Sequence, residues 1–180
     1  MKQLQVDFDE IQKATEDTER DSFEYFLDTE TGEVVIISHE LMDEAARVLH
    51  ETYDDDFDGF EDVEVEQEPD LPVWMEDEVE LAMDVYMNQE FRYMRIPERD
   101  SSHVFSAMRQ FTESVEDQGL KNELRSTLDG AGAFRKFKDR LAEYPAEKKR
   151  WYSYNAKVAK QEIAQWLMSI GIRADRIPMA

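Results

Sequence analysis

The chain has 180 residues, of which 41% are hydrophobic and 11% aromatic, and its formal net charge is −22. This composition can build a core and argues against a disordered chain. The absence of cysteine excludes disulfides, a thiolate nucleophile and thiolate-bound zinc or iron–sulfur clusters. The sequence shows no apolar leader and no long apolar run, so we expect a cytoplasmic protein without a membrane span.

The charge is divided along the sequence. Residues 1–120 hold 36 acidic and 8 basic side chains, a net of −28, whereas residues 121–180 hold 7 acidic and 13 basic ones, a net of +6. Fields of opposite sign in one small protein either attract each other or serve a partner.

Residues 1–53 predict a lobe made of a helix, a β-hairpin and a second helix. Asp7 can cap the first helix, which carries an apolar face. Two β-rich runs, FEYFLD and VVIIS, are joined around Gly32, which suits the positive φ of a hairpin loop. Ser38 can cap the second helix, which we expect to run to about Glu51.

Residues 54–70 form an acidic linker. They contain the DxDxDG opening of a calcium loop, formed by Asp54, Asp56, Asp58 and Gly59. Such a loop closes with a bidentate glutamate at its twelfth position, where this chain has Val65. We therefore interpret the tract as a solvated acidic loop and keep its three aspartates as weak metal candidates. No cofactor is expected apart from calcium at this place.

Residues 71–180 predict a helix-dominated C-terminal lobe with a basic face. A helix over Met75–Met87 and an extended run over Phe91–Ile96 come first. A helix then begins at Ser101 or Ser102, and a further helix is closed by Gly130.

The last helix is predicted between Pro145 and Gly171. Its apolar residues follow a 4-3-4-3-4 spacing, which is typical of a helix packed antiparallel on its neighbour. This predicted seam consists of Tyr152, Ala156, Ala159, Ile163, Trp166 and Ile170.

Three stretches of the sequence resemble a known family. They are GAFRKFKD at Gly132–Asp139, the pair Trp151–Tyr152, and the triplet QWL at Gln165–Leu167. Their order resembles the carboxy-terminal signature of uncharacterised protein family 0158, and YFLDTETGEVV resembles that family's hairpin. Ala131 stands where an arginine commonly precedes the signature. The resemblance implies an α+β cytoplasmic bacterial protein and brings no activity with it.

The basic segment is the main candidate for a binding surface. Around the predicted helix that begins near Gly132, aromatic residues face one way and bases face the other, and the following helix adds further bases. A row of bases anchored by aromatics can contact phosphates or carboxylates. The candidate partner-binding residues are Arg135, Lys136, Lys138, Arg140 and Lys157, with Phe134 and Phe137 behind them.

Together these patterns predict an α+β protein in which an N-terminal helix–hairpin–helix lobe precedes a mainly helical lobe. The first functional hypothesis is a non-catalytic binding or regulatory protein, monomeric or a small homo-oligomer, that contacts a protein or nucleic acid through the basic face. A metal-dependent enzyme with carboxylate ligands is the alternative. An acidic mimic of nucleic acid is a further one. The bases could also dock on the chain's own acidic half.

Overall fold

The computed structural model describes residues 1–52 and 73–175. Helices dominate these ranges, and the strands are short. In chain order the elements are β1 (Lys2–Gln5), α1 (Phe8–Glu16), β2 (Phe23–Asp28), β3 (Val34–Ser38), α2 (His39–Thr52), α3 (Val73–Met87), β4 (Tyr93–Arg95), α4 (Ser101–Ser114), α5 (Gln118–Thr127), α6 (Ala133–Ala142), α7 (Pro145–Ser169) and β5 (Ile172–Asp175).

The predicted α+β class is confirmed, with a helix–hairpin–helix at the front and a mainly helical part behind it. The chain forms two compact units: unit 1 is residues 1–97 with 172–180, and unit 2 is residues 98–171. Helix α3 and strand β4 therefore group with the front of the chain. The predicted linker 54–70 lies outside the described residues. No described helix is long and apolar enough to cross a membrane.

The helix caps and the hairpin glycine predicted for residues 1–53 are confirmed. The Asp7 carboxylate accepts hydrogen bonds from the backbone N–H groups of residues 9 and 10, at 2.8 and 3.2 Å, and so caps α1. The Ser38 hydroxyl accepts from the Leu41 N–H at 3.2 Å and caps α2. Gly32 has the expected positive φ, 83°. A Cβ on Gly32 would also lie 2.0 Å from the Gln5 carbonyl oxygen, so close packing as well as φ demands glycine there.

Unit 1 is built on a three-stranded antiparallel sheet in the order β3-β2-β4. Alternate residues of β2 face opposite sides of this sheet. Phe26 packs with Ile37 and with buried residues of α2 and α3, namely Ala45, Ala82 and Val85. Tyr25 and Leu27, on the other face, are also buried.

A second, two-stranded sheet was not predicted from the sequence. Strand β5 pairs in parallel with β1, and the register runs from Lys2 opposite Ile172 to Gln5 opposite Asp175. The segment KQLQ has one buried side chain, Leu4, and carries little strand signal by itself. Its conformation depends on a partner from the far end of the sequence.

Unit 2 consists of α4 to α7 around an aromatic centre. Phe111, Phe137 and Trp151 lie edge to face, with ring centroids 5.2 to 6.4 Å apart. Aliphatic residues complete the buried cluster, among them Met108, Val115, Leu120, Leu124 and Leu141. Four helices thus share one core, which holds α6 firmly in place.

The predicted seam of α7 is wrong in its first half. Tyr152 is 56% exposed, whereas its neighbour Trp151 is 4% exposed and lies in the aromatic centre. Two stripes replace the single seam: Trp151 and Val158 face the cluster, and Ala159, Ile163 and Leu167 are buried on another face. Trp166, predicted to be core, is half-buried. A 25-residue helix that is buried on two faces cannot be described by one apolar stripe.

Candidate binding surface on unit 2

The candidate bases on α6 occupy the part of that helix which the core leaves exposed. Ala133, Phe137 and Leu141, spaced four residues apart, are its buried residues. Most of the side chains between these buried residues therefore point outward. The side chain of Arg135 is 91% exposed, and Lys136 and Lys138 are exposed too. The helix begins after Gly132, whose φ of 75° turns the chain out of the preceding loop.

Charge is concentrated on residues 133–160, which carry nine bases and three acids. Each acid forms an ion pair with an arginine of the same segment: Arg135–Asp139 at 3.8 Å, Arg140–Glu143 at 2.9 Å and Arg150–Glu147 at 2.8 Å. The net charge of +6 is therefore carried by the six lysines of the segment. In the described part of the chain, no ion pair involves Lys136, Lys138 or Lys157.

Arg140 differs from the other candidates. Its guanidinium lies 3.5 Å from Glu123 on α5 as well as 2.9 Å from Glu143. These residues line a cleft of about 580 Å³ between α5 and α6. The cleft is lined by three acids and two bases, Lys136 being the other base, so it offers no strong field to an anion. Arg140 thus connects two helices and is less available to a partner than Arg135 or Lys138.

Phe134 lies at the surface, not behind the bases as the sequence predicted. It is 38% exposed, while Phe137 is completely buried. The ring of Phe134 packs on Phe105 of α4, with centroids 6.5 Å apart, and the guanidinium carbon of Arg109 lies 5.1 Å from the Phe105 ring centroid. Phe134 and Lys138 are one turn apart on the same side of α6.

We call this set the aromatic–basic patch: Phe105, Arg109, Phe134, Arg135 and Lys138. Sequence analysis missed Phe105 and Arg109 because they are on another helix, more than twenty residues away. Their signal was present in the spacing of α4, where Phe105 and Arg109 lie one turn apart and do not belong to its buried residues Ala107, Met108, Phe111 and Thr112.

Lys157 does not lie beside this patch. It follows Tyr154 by about one turn on α7, and the Tyr154 hydroxyl is 3.0 Å from the Gln110 side-chain oxygen, to which it donates. Gln110 and Phe105 are about 140° apart around α4 at 3.6 residues per turn. Helical periodicity thus places Lys138 on the same side of α6 as Phe134 and Arg135 about 100° around the helix from it, whereas Lys157 is on α7.

Among the described residues, no arrangement of side chains supports the predicted metal site. Asp54, Asp56 and Asp58 lie outside them. No group of three or more potential ligands is close enough to hold an ion in the described ranges. Calcium binding at the DxDxDG sequence stays a prediction.

Unit 1 has its own charged cluster, around Arg92. Asp28 accepts two hydrogen bonds from the Arg92 guanidinium, at 3.1 and 2.8 Å, and a third from the Glu30 N–H at 2.9 Å. Burial works to raise the pKa of Asp28, but these hydrogen bonds outweigh it and hold that pKa below its ordinary value. Burial, with the hydrogen bond that Tyr93 donates to Asp84, raises the pKa of Tyr93 to about 12. The cluster connects the start of β4 to the hairpin, and we interpret its role as stabilising the fold.

A family model described as Uncharacterised protein family (UPF0158) matches residues 70–174, more than half of the chain. The chain belongs to this family. The matched range includes the whole of unit 2 and the three carboxy-terminal stretches noted above, and it begins after the hairpin. Neither a curated protein nor a solved structure matches the chain.

Proposed function

We propose that this protein is a non-catalytic binding protein that takes a single-stranded nucleic acid on the aromatic–basic patch of unit 2. The observation that carries the proposal is the 38% exposed Phe134, whose ring packs on Phe105, while Arg109 lies over the Phe105 ring. Lys138 follows Phe134 by one helical turn, and Arg135 is its neighbour in the sequence. Proteins that bind single strands combine exposed aromatic rings, on which bases stack, with bases that contact the phosphates.

The rigidity of the patch supports the same reading. The patch rests on helices that share the buried aromatic centre, so a ligand would meet backbone positions on α4 and α6 that are already fixed relative to each other. Unit 2 carries 13 bases and 11 acids, whereas unit 1 carries 8 bases and 32 acids. The strongly acidic unit 1 would repel a polyanion, whereas unit 2 has a net charge of +2.

The experiment is a titration of a dye-labelled oligouridylate and an oligothymidylate of about 12 nucleotides, followed by fluorescence anisotropy. Phe134→Ala should weaken binding at least tenfold because it removes a stacking ring. Arg109→Gln and Lys138→Gln should each lower the salt dependence of log K by about 0.7. Lys157→Gln is the matched control, since it removes the same charge from α7, which carries no residue of the patch, and it should leave affinity nearly unchanged.

Two results would overturn the proposal. One is no binding at low salt. The other is binding that Phe134→Ala and Lys138→Gln leave unchanged. Capture of an acidic protein that survives nuclease and is lost in Lys138→Gln would replace nucleic acid by the protein-partner alternative. The metal-dependent enzyme has no supporting observation among the described residues.

A further inference from the structure

Strand β3 leaves one of its two edges open in the described structure. It is the outer strand of the order β3-β2-β4, and its only strand partner among the described residues is β2. The Asp28 N–H donates to the Glu33 carbonyl at 2.9 Å, which sets the alternation of the ladder. Residues 33, 35 and 37 therefore bond to β2, and the N–H and C=O groups of Val34 and Ile36 point away from it.

The sequence of this edge strand lacks the charges and prolines that often block strand pairing. The sequence VVIIS contains no charge and no proline. Ile36, at its centre, is 57% exposed, which is unusual for the middle of an aliphatic strand. The edge thus offers both hydrogen-bonding groups and apolar surface to an added strand.

A groove runs beside the edge, on the face of Tyr25, Val34 and Ile36. It has a volume of about 570 Å³, and α1 forms its other wall. The α1 residues that line it are Glu10, Lys13, Ala14, Glu16 and Asp17. Three acids against one base give this wall a net charge of −2, while its floor is apolar. Side chains at alternate positions of an added strand would enter this groove.

We propose that β3 accepts an extended segment of a partner protein whose groove-facing side chains are a basic, an apolar and a basic residue in alternate positions. The apolar side chain would cover Ile36, and the bases would reach Glu10 and Glu16. A second copy of this chain is the less suitable occupant, because unit 1 has a net charge of −24 and would repel itself. The proposal concerns unit 1 and does not depend on the function proposed for unit 2.

The test uses the intact protein and a labelled peptide with the core Lys-Thr-Ile-Thr-Lys, whose lysines and isoleucine share one face. A peptide with glutamate in place of both lysines and a peptide N-methylated along one edge are the controls. We expect the first peptide to bind and both controls to bind at least tenfold more weakly. The amides of Val34 and Ile36 should exchange quickly in the free protein and become protected when the peptide binds.

Variants separate strand addition from attraction by charge alone. Ile36→Lys and Glu16→Lys should each weaken the peptide at least tenfold, and both side chains are exposed, so the fold should tolerate them. Glu33→Lys is the matched control: it makes the same charge change as Glu16→Lys at the residue before β3, but Glu33 does not line the groove, and affinity should stay within about twofold.

Three results would overturn the proposal: equal binding of the cationic and acidic peptides, protection of the Val34 and Ile36 amides already in the free monomer, or dimerisation of the wild type that Ile36→Lys abolishes. The last result would make a second copy the occupant of the edge.

Discussion

Arg20 in unit 1 and Arg135 in unit 2 show two opposite uses of a basic residue. In unit 1, Arg20 is 9% exposed, and its guanidinium donates to the carbonyl oxygens of Ala14, Ile96 and Pro97 at 2.7 to 3.3 Å. Its guanidinium carbon also lies 5.0 Å from the Tyr25 ring centroid. In unit 2, Arg135 is 91% exposed. Bases of the first kind hold the fold together, whereas bases of the second kind are free to meet a ligand.

This contrast explains why net charge alone is a poor guide to a binding site. Each unit buries a guanidinium group: Arg20 in unit 1 and, in unit 2, Arg99, whose side chain is 6% exposed and donates to Glu162 and Asn155 at 2.8 Å. Buried guanidinium groups need such carbonyl, amide or carboxylate partners. The basic unit builds its core from aromatic and aliphatic side chains and leaves the lysines in solvent. Substitutions should therefore divide into those that lower stability and those that lower binding.

The largest expected effect tests the core of unit 2. Trp151→Ala should lower the free energy of unfolding by about 3–5 kcal/mol, because the indole lies in the aromatic centre with Phe111 and Phe137. Tyr152→Ala, one residue further along the same helix, should cost less than about 1 kcal/mol. Urea unfolding of both variants measures the difference. Equal losses would show that the two-stripe description of α7 is wrong.

The next prediction concerns Arg20, the most buried base of unit 1. Arg20→Gln should cost about 3 kcal/mol, because it removes a charged donor and leaves buried carbonyl oxygens without their partner. Arg95→Gln is the control: its side chain is 64% exposed beside Glu24, and the loss should be below about 1 kcal/mol. Thermal unfolding gives both values.

Measuring both stability and oligonucleotide affinity for Arg20→Gln and Lys138→Gln tests whether buried and exposed bases have separate roles. Arg20→Gln should leave the affinity of the folded protein unchanged. Lys138→Gln should lower affinity and leave the unfolding temperature within experimental error. If Arg20→Gln weakens binding as much as Lys138→Gln does, the division between structural and binding bases fails.

Much of the fold was predictable because local signals decide it. The caps at Asp7 and Ser38, the positive φ of Gly32 and the boundaries of α7 all depend on residues within one turn of each other. The pairing of β1 with β5 was not predictable, since it joins the two ends of the sequence and β1 has one buried side chain.

The candidate site was predictable only in part. The exposed bases Arg135, Lys136 and Lys138 followed from the period of α6, because the same helix supplies the buried residues that orient them. The exposure of Phe134 was missed, since an aromatic residue close to the apolar face of a helix is usually assigned to the core. Its packing on Phe105 and the position of Arg109 depend on how α4 crosses α6. One sequence does not give that crossing.

The smallest predicted effect depends on pH and concerns Asp28. Its pKa in the folded state lies below the unfolded value of about 3.9. The ionised carboxylate therefore stabilises the fold above about pH 4, and this stabilisation is lost as the pH falls through the lower folded-state pKa.

Asp28→Asn keeps the shape of the side chain, but the amide cannot ionise, so the charge-assisted hydrogen bonds from Arg92 to residue 28 weaken. Asp28→Asn should lower the free energy of unfolding by about 1.5 kcal/mol near neutral pH. The difference in free energy of unfolding between wild type and variant should then narrow below about pH 4. Urea unfolding over a pH series measures the gap, and Glu30→Gln, whose side chain is 63% exposed, should show no such trend. A gap that stays constant into acid would mean that Asp28 contributes through its shape and not through its charge.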